Sequence, residues 1–195
     1  LDFVNEIGQY ALNYSDYLSF TLEDFLNQSI GDKKISEYFS DIIAKIGENI
    51  VLRRLSFVPK NLNSEFYSYT HNAYKPNIGK ICVLLKAEVK NNDEKIKKFG
   101  KNLCMHIAAS KPLALDIDKL DLSLIEKEKE VQLATIKSSG KPENIVEKIL
   151  EGKMKKYFSE VTLYNQYYII DNDKTVKEVI DEFNSMKERF KIIEY

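Results

Sequence analysis

The chain changes its hydrophobic period at Gly47, and that switch restricts it to folds that keep helices and strands in separate runs. From Val4 to Phe25, the residues Ile7, Tyr10, Ala11, Tyr14, Leu18, Leu22 and Phe25 recur at helical spacing and predict one core-facing stripe. Thr21, followed by Asp24, is placed to cap a separate short helix, because its oxygen can accept from free backbone N–H groups. A second helical pattern opens at Asp32 and carries Ile35, Phe39, Ile42, Ile43 and Ile46, with Gly47 positioned to end it. Beyond Gly47 the β-formers take over. Ile50 to Val58 reads as a strand stopped by Pro59, and Glu65 to Thr70 alternates aromatic and polar residues. Asn72 to Asn77, with Pro76, reads as a connection into a strongly apolar strand from Ile78 to Val89. Two helices followed by three strands predict an antiparallel α+β unit over residues 1–91.

The second half repeats the mixture. Asn92 to Ser110 is helical and stops before Lys111-Pro112, since proline disfavours helical geometry in the residue before it. Ser123 to Ser138 is a dense Glu-Lys helix. Gly140-Lys141-Pro142 breaks the chain, and Pro142 suits the first turn of a helix holding Ile145, Ile149 and Met154. These two helices predict an antiparallel hairpin at about 123–158. Tyr167 to Ile170 is β-like, a helix is expected from near Asp173, and Phe190 to Tyr195 alternates as a strand. The whole reads as α+β: two subdomains, 1–91 and 92–195, each a small antiparallel sheet packed with helices, plus the inserted hairpin.

Charge and chemistry narrow the function. Twenty-nine Lys and Arg against 30 Asp and Glu leave a formal charge of −1, which argues against a protein that lives on phosphate contacts. Cys82 and Cys104 are the only cysteines and sit in apolar stretches, so they read as buried thiols in a reducing compartment. No apolar run approaches the ~18 to 20 residues of a membrane span. These features point to a soluble, cytoplasmic protein, and Leu1 in place of Met suggests a missing upstream segment. Gly140-Lys141 lacks the earlier glycine and the following hydroxyl of a phosphate loop. Cys104 and His106 diverge on their helix, so with His71 and Cys82 they do not form a zinc set. No nucleophile elbow is present. The run Glu126-Lys127-Glu128-Lys129-Glu130 is a solvated helix face. Lys153, Lys155 and Lys156, interleaved with Tyr157 and Phe158, leave room for a single-strand nucleic-acid contact, as in a ribosome- or RNA-associated hairpin protein, though a helix end with lysines answering its dipole explains them more simply. A binding protein is favoured over an enzyme.

Three ordered segments resemble the bacterial elongation factor Ts family. Leu1-Asp2-Phe3-Val4 is similar to its Thr-Asp-Phe-Val segment, and Cys104 to Pro112 to its Ala-Met-His-Ile/Val-Ala-Ala-Ser-Lys-Pro stretch. Ser139-Gly140-Lys141-Pro142 with Glu151-Gly152-Lys153-Met154-Lys155-Lys156 resembles its Ser-Gly-Lys-Pro and Glu-Gly-Arg/Lys-x-Lys-Lys signature. Gly47 to Arg54, Tyr69 with His71, and Ile78-Gly79 fall between them in the expected order. The resemblance implies two core subdomains, an inserted hairpin, an absent helical module before Asp2, and an end short of the family's final helix. It implies guanine-nucleotide exchange on elongation factor Tu, bound in GDP-loaded and nucleotide-free states, with no cofactor, no metal, no direct nucleic acid and no membrane. A homodimer through the hairpin is one option, since the family hairpin serves that way in some lineages. Asp2, Phe3, Ile78, Gly79 and His106 match the family's partner-contacting residues. Taken alone, Phe3 is an ordinary core aromatic, His106 a structural histidine, and Ile78-Gly79 a turn entering a strand. The sequence departs from the pattern at Asn5-Glu6-Ile7, where Glu6 reverses a charge, so no cation-dependent contact is carried over there.

Overall fold

The computed structural model describes residues 2–13, 21–138, 142–186 and 189–195, and the fold is α+β. The chain divides into two compact units, one of residues 1–59 with 74–78, the other of residues 60–73 with 79–195.

In the first unit, α1 (Asp2–Leu12) buries Ile7 and Ala11, the spacing of a single helical stripe. The expected continuation through Tyr14 and Leu18 lies outside the described residues. Thr21 does cap a short helix, α2 (Leu22–Leu26): its side chain accepts from the Asp24 N–H while Asp24 accepts from the Thr21 N–H. A two-residue hairpin, β1 (Ser29–Ile30) and β2 (Lys33–Lys34), was not expected, and it shifts the start of α3 (Ile35–Ile46) three residues past Asp32. Gly47 ends α3 at φ 77°, in the left-handed region where a side chain would be strained. Phe25 and Ile35 are fully buried, and Leu26, Phe39 and Leu55 pack around them.

Residues 50–58 are not a strand. Leu52, Leu55 and Phe57 pack onto the helices, and among the described residues no neighbouring strand supplies a ladder to them. The three-stranded sheet is completed instead from the chain end, in the order β3 (Ser64–Lys75), β4 (Ile78–Val89) and β7 (Phe190–Glu194). β3 runs further than expected, to Lys75, leaving only Pro76 and Asn77 as the turn; Asn77 takes φ 62°. β4 matches the predicted span and pairs antiparallel with β7, Ala87 opposite Ile192 and Val89 opposite Phe190.

Cys82 corrects another expectation: it is exposed, because Lys80, Cys82 and Leu84 alternate outward while Ile81, Val83 and Leu85 turn in. Cys104 is buried as expected, and burial pushes its thiol pKa up to about 12.

The sheet packs on α4 (Glu94–Ser110), capped by Asp93, whose carboxylate accepts from the Ile96 N–H at 3.0 Å. Phe190 closes this core. Its ring stands edge-on to Phe99 at 5.1 Å, and Phe99 stacks on Phe183 at 4.1 Å. Phe183 belongs to α7 (Val176–Ser185), which begins at a Thr175–Glu178 capping box. The helix expected from Asp173 therefore starts three residues later. Asp171–Thr175 is β6, paired with β5 (Tyr167–Tyr168), because backbone pairing claims the chain before the cap can act.

The predicted hairpin is present as α5 (Leu122–Ser138) and α6 (Glu143–Val161), although the Gly140-Lys141 break itself lies outside the described residues. Pro142 caps α6 rather than entering its first turn. Ile136, Leu150 and Met154 form a small interior of the hairpin's own. At its base the entering and leaving chains pair in parallel: Ala114 bridges Thr162, Leu113 N–H donates to Val161, and Leu163 N–H donates back to Ala114.

Candidate functional site

Asp2 and Phe3 occupy the first turn of α1. Phe3 is partly buried: its ring meets Phe39 edge-on at 4.8 Å and Tyr38 at 5.6 Å, and the remaining surface stays open. The aromatic is thus anchored without being swallowed by its own core. The Asp2 side chain is 95% exposed, yet it forms an ion pair with Lys75. The Lys75 hydrogen bond and charge hold the Asp2 carboxyl below the usual carboxylate range. Lys75 and Ile78 flank the Pro76-Asn77 turn, so this bond ties the start of α1 to the turn that carries Ile78.

Glu6, one turn along α1, accepts from the Tyr38 hydroxyl at 2.8 Å. This hydrogen bond joins α1 to α3.

Gly79 belongs to the second unit and is needed for close approach. A Cβ there would sit 2.5 Å from the Thr70 methyl and 2.8 Å from the His71 carbonyl oxygen. β3 comes this near where Asn72 takes φ 48°. Tyr69 and His71, also on β3, meet through the Tyr69 hydroxyl and His71 Nδ1 at 3.2 Å.

His106 has no exposed surface. Its Nδ1 accepts from the Ile169 N–H at 3.3 Å, which leaves Nε2–H to donate to Gln166 Oε1 at 3.0 Å. Gln166 in turn donates from Nε2 to the Glu160 carbonyl at 2.7 Å. The imidazole therefore braces the β5–β6 turn, and the exposed side chains in that turn are Ile169 and Ile170. Sequence reading missed Lys75, Tyr38 and Gln166; each acts through a partner at least 32 residues away in the chain, and no local pattern marks such a pair.

Burial lowers the His106 pKa below its ordinary value, with the Gln166 hydrogen bond opposing in part. The unfolded chain then binds a proton near pH ~6.5 that the folded chain resists, so this contribution is full above that pH and lost as pH falls toward the folded value. Melting temperature is expected to drop between about pH 7.5 and 5.5, and His106→Gln is expected to flatten that slope. Equal slopes in the two proteins would show that another group titrates there.

Among the described residues, no group of three or more His, Cys, Asp or Glu is placed to hold a metal ion, and no helix is long and apolar enough to cross a membrane.

Comparison with known proteins covers the whole length. Residues 1–195 match the family described as Elongation factor TS. Elongation factor Ts of Roseobacter denitrificans is 40% identical over 176 residues, covering 90% of this chain and 56% of that protein. The Ruegeria protein of the same name is 41% identical over 162 residues, covering 83% and 53%, and that of Brucella anthropi 36% over 183 residues, covering 93% and 58%. The chain spans about half the length of the curated relatives it matches. On the match along its full length and on these identities, the chain belongs to the elongation factor Ts family.

Proposed function

We propose that the chain binds elongation factor Tu and promotes release of GDP from it, as a guanine-nucleotide exchange factor. The observation that carries this reading is Phe3, an anchored but partly open aromatic at the start of α1, beside an exposed carboxylate tied to the β3–β4 turn. A rigid ring of this kind suits insertion between elements of a partner at little further entropic cost.

Exchange needs no acid or base. It needs contacts that are better with the empty GTPase than with the loaded one, and by linkage GDP must weaken the factor's binding by the same ratio as the factor weakens GDP binding. In this reading Asp2, Phe3 and Ile78 face the partner directly. Gly79 lets β3 and β4 approach closely behind Ile78. His106, having no surface of its own, acts by holding the turn that exposes Ile169 and Ile170.

An RNA-binding hairpin is less well supported. Lys153 donates to Gln132 Oε1 at 2.7 Å and Lys156 lies 3.7 Å from Glu160, so two of the three lysines already have partners within the arm.

Release of a fluorescent GDP from elongation factor Tu is the direct test. The chain is expected to accelerate release, and GDP to weaken its association by an equal factor. Association without acceleration would refute exchange, and a steep loss of RNA affinity with salt would favour the other reading.

A further inference from the structure

We infer that Lys75 is a positioning residue for this interface: by holding the Asp2 carboxylate it fixes the first turn of α1 to the β3–β4 turn, so that Phe3 and Ile78 are presented as one preformed surface. The inference rests on the exchange reading and names how that site is kept ready. Lys75 is the last residue of β3, and the turn that follows is stiff, with proline restricting φ at Pro76 and Asn77 held at φ 62°. Asp2 opens α1, where the first backbone N–H groups lack helical partners and a carboxylate is favoured. The ion pair is therefore a brace between a rigid turn and the frayable end of a helix.

Exposed pairs contribute little to folding, whereas holding a binding surface in its bound geometry lowers the ordering cost at association. The two effects separate in a measurement. Using the full 195-residue chain, elongation factor Tu and a fluorescent GDP, Lys75→Met is expected to raise the concentration for half-maximal stimulation about three- to fivefold at low salt. The maximal release rate and the melting temperature should stay unchanged. Lys75→Arg is expected to restore wild-type behaviour, and Asp2→Asn with Lys75→Met to be no worse than Asp2→Asn alone. The difference should fade as salt screens the pair.

Half-saturation equal to wild type while Phe3→Ala is defective overturns the role of Lys75 alone. So does a lowered maximal rate at unchanged half-saturation, or a melting loss that accounts for the defect. No stimulation by the wild-type chain overturns the exchange reading and this inference with it.

Discussion

Phe3→Ala is expected to leave α1 folded and to remove most of the stimulation of GDP release. The ring packs on Tyr38 and Phe39, but Ile7 and Ala11 continue the buried stripe below it, so the helix keeps its main anchor. What is lost is the open part of an aromatic. A buried aromatic anchor at an interface carries about 2 kcal/mol or more, and about 1.4 kcal/mol is a tenfold change, so stimulation should fall more than about tenfold. Stopped-flow release of fluorescent GDP reads the loss, and far-ultraviolet circular dichroism reads the fold. Undiminished stimulation by a folded Phe3→Ala chain removes the ring from the mechanism.

The largest effect on stability is expected from Phe190→Ala. Phe190 is fully buried and its ring meets Phe99 and Phe183 edge-on. Asn184 fixes the same residue by its backbone, donating to the Phe190 carbonyl at 3.1 Å and accepting from its N–H at 2.8 Å. Removing the ring leaves a cavity where sheet, α4 and α7 meet, at a cost of about 3–5 kcal/mol. For a chain of this size that is roughly 6–20 °C in melting temperature. A shift of only about a degree would mean that the neighbouring rings collapse into the gap.

Local signals were legible in the residues. Thr21 with Asp24, Gly47, and proline after Lys111 mark helix ends through bonds or clashes that span only a few positions, and each ends or starts a helix as read. The β4 span and β7 were also readable, the first from its strongly apolar run and the second from its alternation. Residues 50–58 misled because a run of β-forming residues records a preference and says nothing about whether a neighbouring strand exists. Asp171–Thr175 misled because the Thr175–Glu178 capping box, which sets the start of α7, lies two residues past the expected start at Asp173. At the site, Phe3 taken alone reads as a core aromatic, and its ring does pack on Tyr38 and Phe39 while part of its surface stays open. The Asp2–Lys75 and His106–Gln166 bonds join positions 73 and 60 residues apart, and only folding brings them together.

The parallel clasp at Ala114 and Thr162 brings the entry and exit of the α5–α6 arm side by side, while the arm keeps an interior of its own. Its length is thereby insulated from the body that carries it. Whole turns could be added to or trimmed from the far end across evolutionary time, and the sheet would register no change.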